Sequence, residues 1–443
     1  MNKELDRLIE IHERLREMTR QWGIHKEWNE EDARMLREEA CLLNHRRYLR
    51  SIPAYRALAT EIGLGEEVDD VAVIKRELMS TDDIFKSYDP AWIDRSAWQH
   101  MTEWLRKIYS NDIPVDSSEV GTMDEWLKRL KDQEVHVIYS SGTTGNYSFV
   151  PRDQLTWHSL ITNGVYTVLA TLYERVLSLD DYDAALLTFR SSNMGIQLVG
   201  MEVAKVVSTA YFLYDMEMPA QAVRIIQRGP KNEEEHALIR QFQDVLVTQK
   251  KERYRLVLKR LIASARQGRK VFLFGAPFQL NEICELAAVE GDAHLPEGSL
   301  LLFGGGWKTF EGERIDKAEL CRRIEASFGV SRENVLEGYS MTEMNAVMLC
   351  CSNERFHIPP LLEPMVFDET LTPLAETGGK GIFGFLDPFA LSYPGFLITG
   401  DQVDLVHGEC PCGKRGYALE GGIRRAPGRE VKGCGGIMAS VRA

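Results

Sequence analysis

The sequence predicts an α/β protein: one large body preceded by a helical N-terminal segment. Three observations carry this expectation. Short apolar runs end in loops rich in glycine, serine and threonine, and helix-forming stretches lie between several of those runs. The N-terminal part, up to about residue 130, shows helical periodicity instead. The expected organisation is therefore a helical segment over 1–130 packed on a core over 131–443.

Within the first segment, Leu5, Leu8, Ile9, Leu15 and Met18 recur near a 3.6-residue period and predict an amphipathic helix, with His12 beside the stripe in a structural role. Further helix is expected over 30–44 and 97–109, with Pro53 and Pro114 as breaks. Trp92, Trp98, Trp104 and Trp126 read as packing residues.

From Val135 the texture changes. Strand-like runs occupy 136–139, 184–189, 270–275, 299–306 and 396–401, with helical stretches over 233–266 and 315–328. Strands alternating with helices point to a largely parallel sheet, whose ligands lie beyond the C-terminal strand ends where the glycine-rich loops fall.

Composition narrows the function. The 443 residues hold 53 Lys+Arg against 66 Asp+Glu, a net charge of −13, with 44% hydrophobic residues. A disordered or fibrous chain is excluded. The acidic balance argues against nucleic acid as a partner, because phosphate binding needs clustered Lys and Arg. Eight cysteines are too sparse for a disulfide scaffold. The first residues carry charges throughout, and no apolar run reaches the roughly 18 residues of a spanning helix, so a cytoplasmic protein with reduced thiols and no membrane insertion is expected.

Chemistry concentrates in four loops. Tyr139-Ser140-Ser141-Gly142-Thr143-Thr144-Gly145 follows a strand, and its small residues let successive backbone N–H groups cradle phosphate oxygens. It is not a Walker loop, since no Gly-Lys-Ser/Thr follows; alone, it is also compatible with a plain turn. Gly304-Gly305-Gly306 is a glycine turn with Lys308 just behind. Tyr339-Ser340-Met341-Thr342-Glu343 follows the strand-like VLEG, and Thr399-Gly400-Asp401 ends another strand with a carboxylate. In that order the four resemble the adenylate-forming, acyl-activating superfamily, and GGGWKTFEGERIDKAEL is similar to the acyl-protein synthetase branch of the bacterial luminescence fatty-acid reductase. Phenylacetate–coenzyme A ligases are the next nearest in resemblance.

The resemblance implies a large adenylation domain using ATP and Mg²⁺ to turn a carboxylic acid, fatty or aryl, into an acyl-adenylate. Ser140, Ser141, Gly142, Thr143, Thr144 and Gly145 would then hold the phosphates, Thr342 the α-phosphate and Glu343 the Mg²⁺. Tyr339 would stack near the adenine, Asp401 would take the ribose hydroxyls, and Gly304, Gly305 and Gly306 would line the nucleotide and acyl pocket. Lys308 would meet a phosphate or carboxylate; its other reading is a solvated surface lysine. Asp401 and Glu343 have the alternative of capping a helix or pairing with an arginine.

In the superfamily a small C-terminal lid follows the T-G-D strand. Here the sequence runs from Asp401 only to Ala443, so a full lid is not expected, and Arg429, with Arg425 as the fallback, resembles the hinge arginine. Cys434, between glycines and near basic residues, resembles the branch's self-acylated cysteine; an inert tail thiol is the alternative. The acyl group would pass to Cys434, a carrier or a reductase partner protein. An acid–coenzyme A ligase and a non-catalytic nucleotide- or acyl-binding subunit are the competing readings.

His407, Cys410 and Cys412 read as half a zinc knuckle, to be completed by Cys434, Cys350 or Cys351, or else as a turn held by Pro411 and Gly413. Cys350, Cys351 and Cys284 read as core, and neither His158 nor His357 is given a catalytic role.

Overall fold

Helix α1 (Lys3–Gly23) buries Leu8, Ile11, His12, Leu15, Arg16, Thr19 and Trp22, one face at helical spacing. The apolar stripe expected from the sequence is rotated: Ile9 is 42% exposed, because polar His12, Arg16 and Thr19 belong to the true inner face. Helix α2 (Glu30–Ser51) starts where the Asn29 side chain accepts from the Asp32 N–H, and Pro53 opens the next helix (Pro53–Glu61) at its first position. Tyr48, Tyr55 and Phe396 pack ring to ring beneath these helices. Trp98 and Trp126 stack with centroids 5.4 Å apart, so both are packing residues as expected.

In this computed structural model, residues 3–24, 28–140, 147–167, 179–291, 293–305, 315–374 and 378–427 are described, Ile196 without its side chain. They fall into two compact units. The first takes described residues of 1–139, 148–177 and 340–430; the second takes those of 140–147 and 178–339. Strands β1 (Ser80–Thr81), β2 (His136–Ser140) and β3 (Ser148–Arg152) come first in the chain, and β2 pairs β3.

The second unit is the parallel α/β part. Its strands β4 (Tyr182–Ser191), β5 (Thr209–Glu217), β6 (Lys270–Gly275), β7 (Leu300–Gly304) and β8 (Val335–Tyr339) lie in the order β8-β7-β6-β4-β5, every pair parallel. Strands β4, β6 and β7 are buried nearly end to end, as strands covered on both faces must be. The helical stretch over 233–266 is two helices, Glu233–Gln243 and Lys250–Arg266, around a π-helical turn at Asp244–Thr248.

The first unit adds β9 (Met348–Cys350), β10 (Phe356–His357), β11 (Glu363–Phe367), β12 (Gly379–Leu386), β13 (Phe396–Glu409) and β14 (Arg415–Arg425). These pair antiparallel in the order β11-β12-β13-β14-β10-β9, with β1 parallel on β13. The largely parallel sheet expected from the sequence is thus realised in the second unit, while the first is antiparallel apart from β1 on β13. Among the described residues no helix is long and apolar enough to cross a membrane.

Candidate active site

In the second unit, three motif positions sit at strand ends. Ser140 is the buried last residue of β2, Gly304 closes β7 and half-buried Tyr339 closes β8. Gly304 lies opposite Gly338, and a Cβ there would come within 3.1 Å of the Gly338 carbonyl oxygen. Gly305 has φ +82°, a left-handed backbone that glycine adopts without strain. Ser141, Gly142, Thr143, Thr144, Gly145, Gly306, Lys308, Arg429 and Cys434 lie outside the described residues.

In the first unit, Thr342 and Glu343 occupy a loop that a buried network holds from below. Arg152, fully buried at the end of β3, donates from Nη2 to the Thr342 carbonyl at 2.6 Å and from Nε to Asn345 Oδ1 at 3.1 Å. Asn345 donates its N–H and its amide to Asp387 Oδ2 at 2.8 and 3.0 Å, and the Tyr393 hydroxyl donates to the Glu343 carbonyl at 3.0 Å. The loop is therefore fixed through its backbone, by Arg152 at Thr342 and by Tyr393 at Glu343.

The carboxyls here feel their burial. Glu343 is 1% exposed, and loss of water pushes it above the ordinary carboxylate range, against its own N–H, the Ser148 hydroxyl, Lys86 and Arg152. Asp387 is pushed up to about 6 by burial, despite the N–H groups of Asn345 and Phe389. Ser148 and Arg152 both belong to β3, the strand that follows the Ser/Thr/Gly-rich loop expected to bind phosphate. That loop's outgoing strand and the Thr342–Glu343 loop are thus joined by side chains.

The helical segment reaches this network. His12 Nε2 donates to the Pro388 carbonyl at 2.9 Å, and Asn44 donates to the same oxygen at 2.8 Å. The Tyr48 hydroxyl bonds the Ala390 carbonyl. Burial pushes His12 down to about 3, so it is neutral and structural, as expected.

Asp401 lies on β13 and does pair with an arginine. Arg425 Nη1 donates to Asp401 Oδ1 at 2.7 Å, and both side chains are nearly buried. Gly400 makes room for this: a Cβ there would stand 2.9 Å from Arg425 Nη1. The fallback hinge arginine is thus the partner of the T-G-D carboxylate.

Sequence reasoning missed Arg152, Asn345, Asp387 and Tyr393, because their partners lie dozens to hundreds of residues away. The available signal was an arginine closing the motif-bearing segment VIYSSGTTGNYSFVPR. It also missed Lys86, a cation in the turn Asp82–Lys86 whose charge reaches Glu343. Two further expectations are corrected. His407 bonds Glu30 Oε1 at 2.8 Å and is not grouped with Cys410 and Cys412; His357 is. Cys350 and Cys284 are buried core, but Cys351 is half-exposed and faces Cys410.

Residues 248–441 match the family of acyl-protein synthetases, LuxE. The chain is 23% identical over 336 residues to a long-chain-fatty-acid–luciferin-component ligase of Vibrio harveyi, covering 75% of this chain and 78% of that one. It is 27% identical over 188 residues to the ligase of the same description from Aliivibrio fischeri, covering 42% and 49%. Among solved structures, 2-hydroxyisobutyryl-CoA ligase with bound 2-HIB-AMP superposes with a TM-score of 0.55 at 13% identity, covering 92% of this chain and 74% of that one. Its open form with 2-HIB-AMP and CoA gives 0.54 at 13% identity over 90% and 72%. The resemblance read from the four loops is borne out, and the fold is that of adenylate-forming ligases.

Proposed function

We propose that this chain, matched over residues 248–441 by the acyl-protein synthetase family, is an ATP-dependent ligase that activates a fatty acid and hands the acyl group to a thiol. The observation that carries the reading is the Thr342–Glu343 loop, fastened by its backbone to Arg152 on β3 and to the Tyr393 hydroxyl. A preformed, buried polar site of this kind stabilises charge without reorganising during the reaction.

In the first step the substrate carboxylate attacks the α-phosphorus of ATP; the new O–P bond forms as the bond to pyrophosphate breaks. The substrate is itself the nucleophile, so the chain needs no general base. Its task is positioning and charge stabilisation. Ser140, Ser141, Gly142, Thr143, Thr144 and Gly145 hold the β- and γ-phosphates, and the Thr342 hydroxyl donates to the α-phosphate. Gly304, Gly305 and Gly306 line the nucleotide and acyl pocket. Tyr339 stacks on the adenine, and the Asp401–Arg425 pair takes the ribose hydroxyls, the carboxylate accepting from the diol.

A buried carboxylate that burial pushes up is stabilised by a nearby cation, which is the donor chemistry of a magnesium site at Glu343. When bound there, Mg²⁺ supplies neutralisation of phosphate charge. Arg152 and Lys86 bias Glu343 toward the ionised form that such binding needs.

In the second step a thiolate, with Cys434 as the first candidate, attacks the acyl carbonyl carbon. A thioester forms and AMP leaves. Lys432, two residues earlier in the sequence, would favour the thiolate. Lys308 and Arg429 are assigned to the reacting carboxylate and the hinge. The V. harveyi relative is described as ligating a long-chain fatty acid, which makes fatty acids the first to test, with a carrier or reductase protein as the onward acceptor.

Carboxylate-dependent exchange of pyrophosphate into ATP tests adenylation, over a panel of fatty, aryl and amino acids. No exchange with any acid overturns the reading and leaves a binding subunit. Intact-mass measurement after ATP and acid then separates the acceptors. A thioester adduct abolished by Cys434→Ser supports self-acylation, whereas acyl-CoA formed with unmodified protein identifies a coenzyme A ligase.

A further inference from the structure

The most concentrated group of soft donors in the described residues lies apart from the nucleotide motifs. Cys351, His357, Cys410 and Cys412 bring one donor atom each to within 4.8 Å of all the others. Two hairpins deliver them. Cys351 follows β9 and His357 ends β10, which pairs antiparallel with β9. Cys410 and Cys412 form the turn between β13 and β14. The pairing of β10 with β14, His357 opposite Ala418, lays one hairpin beside the other.

We propose that these four residues bind a single structural zinc ion. An ion at about 2.3 Å from sulfur and 2.0–2.1 Å from nitrogen in tetrahedral geometry sets sulfurs about 3.8 Å apart and sulfur about 3.6 Å from nitrogen. Cys351 Sγ and Cys410 Sγ are 3.8 Å apart, and Cys412 Sγ lies 3.2 Å from His357 Nε2. A disulfide would need its sulfurs about 2.0 Å apart, and would leave Cys412 and His357 without a reason to converge on the same point.

The backbone is built for the task. The Cys410 N–H donates to the Lys414 carbonyl and the Gly413 N–H to the Cys410 carbonyl, both at 2.8 Å. Gly413 has φ +91°, the left-handed turn that brings Cys410 and Cys412 onto one side. Three thiolates and a neutral imidazole around Zn²⁺ leave one net negative charge. Arg355 reaches the Cys410 sulfur and Lys414 lies in the field of Cys412 and Cys351, so cations stand where that charge falls. Cys410 and His357 are buried and all four positions come from the protein, which is the closed set of a structural site. Soft thiolates in a tetrahedron favour zinc over the hard cations.

The ion would pin the turn from which β14 runs back to Arg425, the partner of Asp401. The test is metal analysis of the full chain, purified without a histidine tag or chelator, followed by exchange into Co²⁺. One zinc per chain is expected, together with the intense visible bands of tetrahedral cobalt and thiolate-to-cobalt charge transfer. Cys410→Ser/Cys412→Ser should lose the ion, while Cys350→Ser, whose sulfur turns to the Cys351 carbonyl, should keep it. If the double variant does not fold, the cobalt spectrum of the wild-type chain still decides. The proposal is overturned if the chain stays metal-free after incubation with Zn²⁺, with Cys351, Cys410 and Cys412 alkylated under native conditions or joined in a disulfide. Zinc kept undiminished by a folded double variant overturns it equally.

Discussion

Asp387→Asn should give a stability difference that changes with pH, and its direction can be worked from the structure. The Asp387 carboxylate accepts from the Asn345 N–H, the Asn345 amide and the Phe389 N–H, at 2.8, 3.0 and 2.9 Å. Burial nevertheless raises it from the ordinary 3.8 to about 6. A folded value above the unfolded one means that the native state binds the proton more tightly. Stability from this group is therefore complete below about pH 4 and is lost as pH rises through 6. The shift is about 2 units at ~1.4 kcal/mol each, so ionisation costs the native wild type roughly 3 kcal/mol above pH 6. The asparagine cannot ionise and escapes that cost. Its NH₂ must, however, face either the Asn345 donors or the Phe389 N–H, at about 1–3 kcal/mol. The variant should thus be less stable at pH 4.5, with the gap closing by about 2 kcal/mol at pH 7.5. Urea unfolding of both proteins across that range, followed by tryptophan fluorescence, measures it. A gap that stays constant from pH 4.5 to 7.5 would refute the assignment of Asp387 as a carboxyl raised by burial.

Three other outcomes follow from the same geometry. Glu343→Gln should cut pyrophosphate exchange by roughly a hundredfold or more, yet leave the melting temperature unchanged or higher, because burial disfavours the carboxylate it replaces. Gly305→Ala, at φ +82°, should lower stability by about 1–2 kcal/mol in urea unfolding, and a neutral result would show that the turn tolerates a side chain. Arg37→Met removes one of the two cations on buried Glu363, with Lys75 remaining at 3.1 Å. A loss of about 3 kcal/mol is expected in the same measurement, and less than 1 would mean that Lys75 alone satisfies the carboxylate.

What the sequence made legible was local. The runs at 136–139, 184–189 and 270–275 became strands because each is a short apolar stretch closed by a turn signal, and Ser140, Gly304 and Tyr339 fall at strand ends; Thr399-Gly400-Asp401 does not end its strand, because β13 runs on through it to Glu409. What stayed hidden was pairing at long range. Arg152 and Asn345 lie 193 residues apart and Asn345 and Tyr393 lie 48 apart, so no window contains the network that holds Thr342 and Glu343. The antiparallel strands of the first unit are short or glycine-interrupted, and periodicity is weak in such segments. The metal-type cluster failed for the same reason. His407 is near in sequence but bonds Glu30, while His357 arrives through the β10–β14 pairing 55 residues before Cys412. Polar residues on an inner helix face, such as His12 and Arg16 on α1, likewise disguised which side of that helix is buried.

The grip of α1 and α2 on the 388–391 backbone also orders events during synthesis. His12 and its acceptor at Pro388 are 376 residues apart, and Asn44 meets the same carbonyl across 344. Helices α1 and α2 therefore wait through the synthesis of several hundred residues before these partners exist. Until that late docking the loop bearing Thr342 and Glu343 lacks its full support. A chain cut short before residue 388 carries Thr342 and Glu343 and yet lacks Tyr393 and the Pro388 carbonyl, which support their loop.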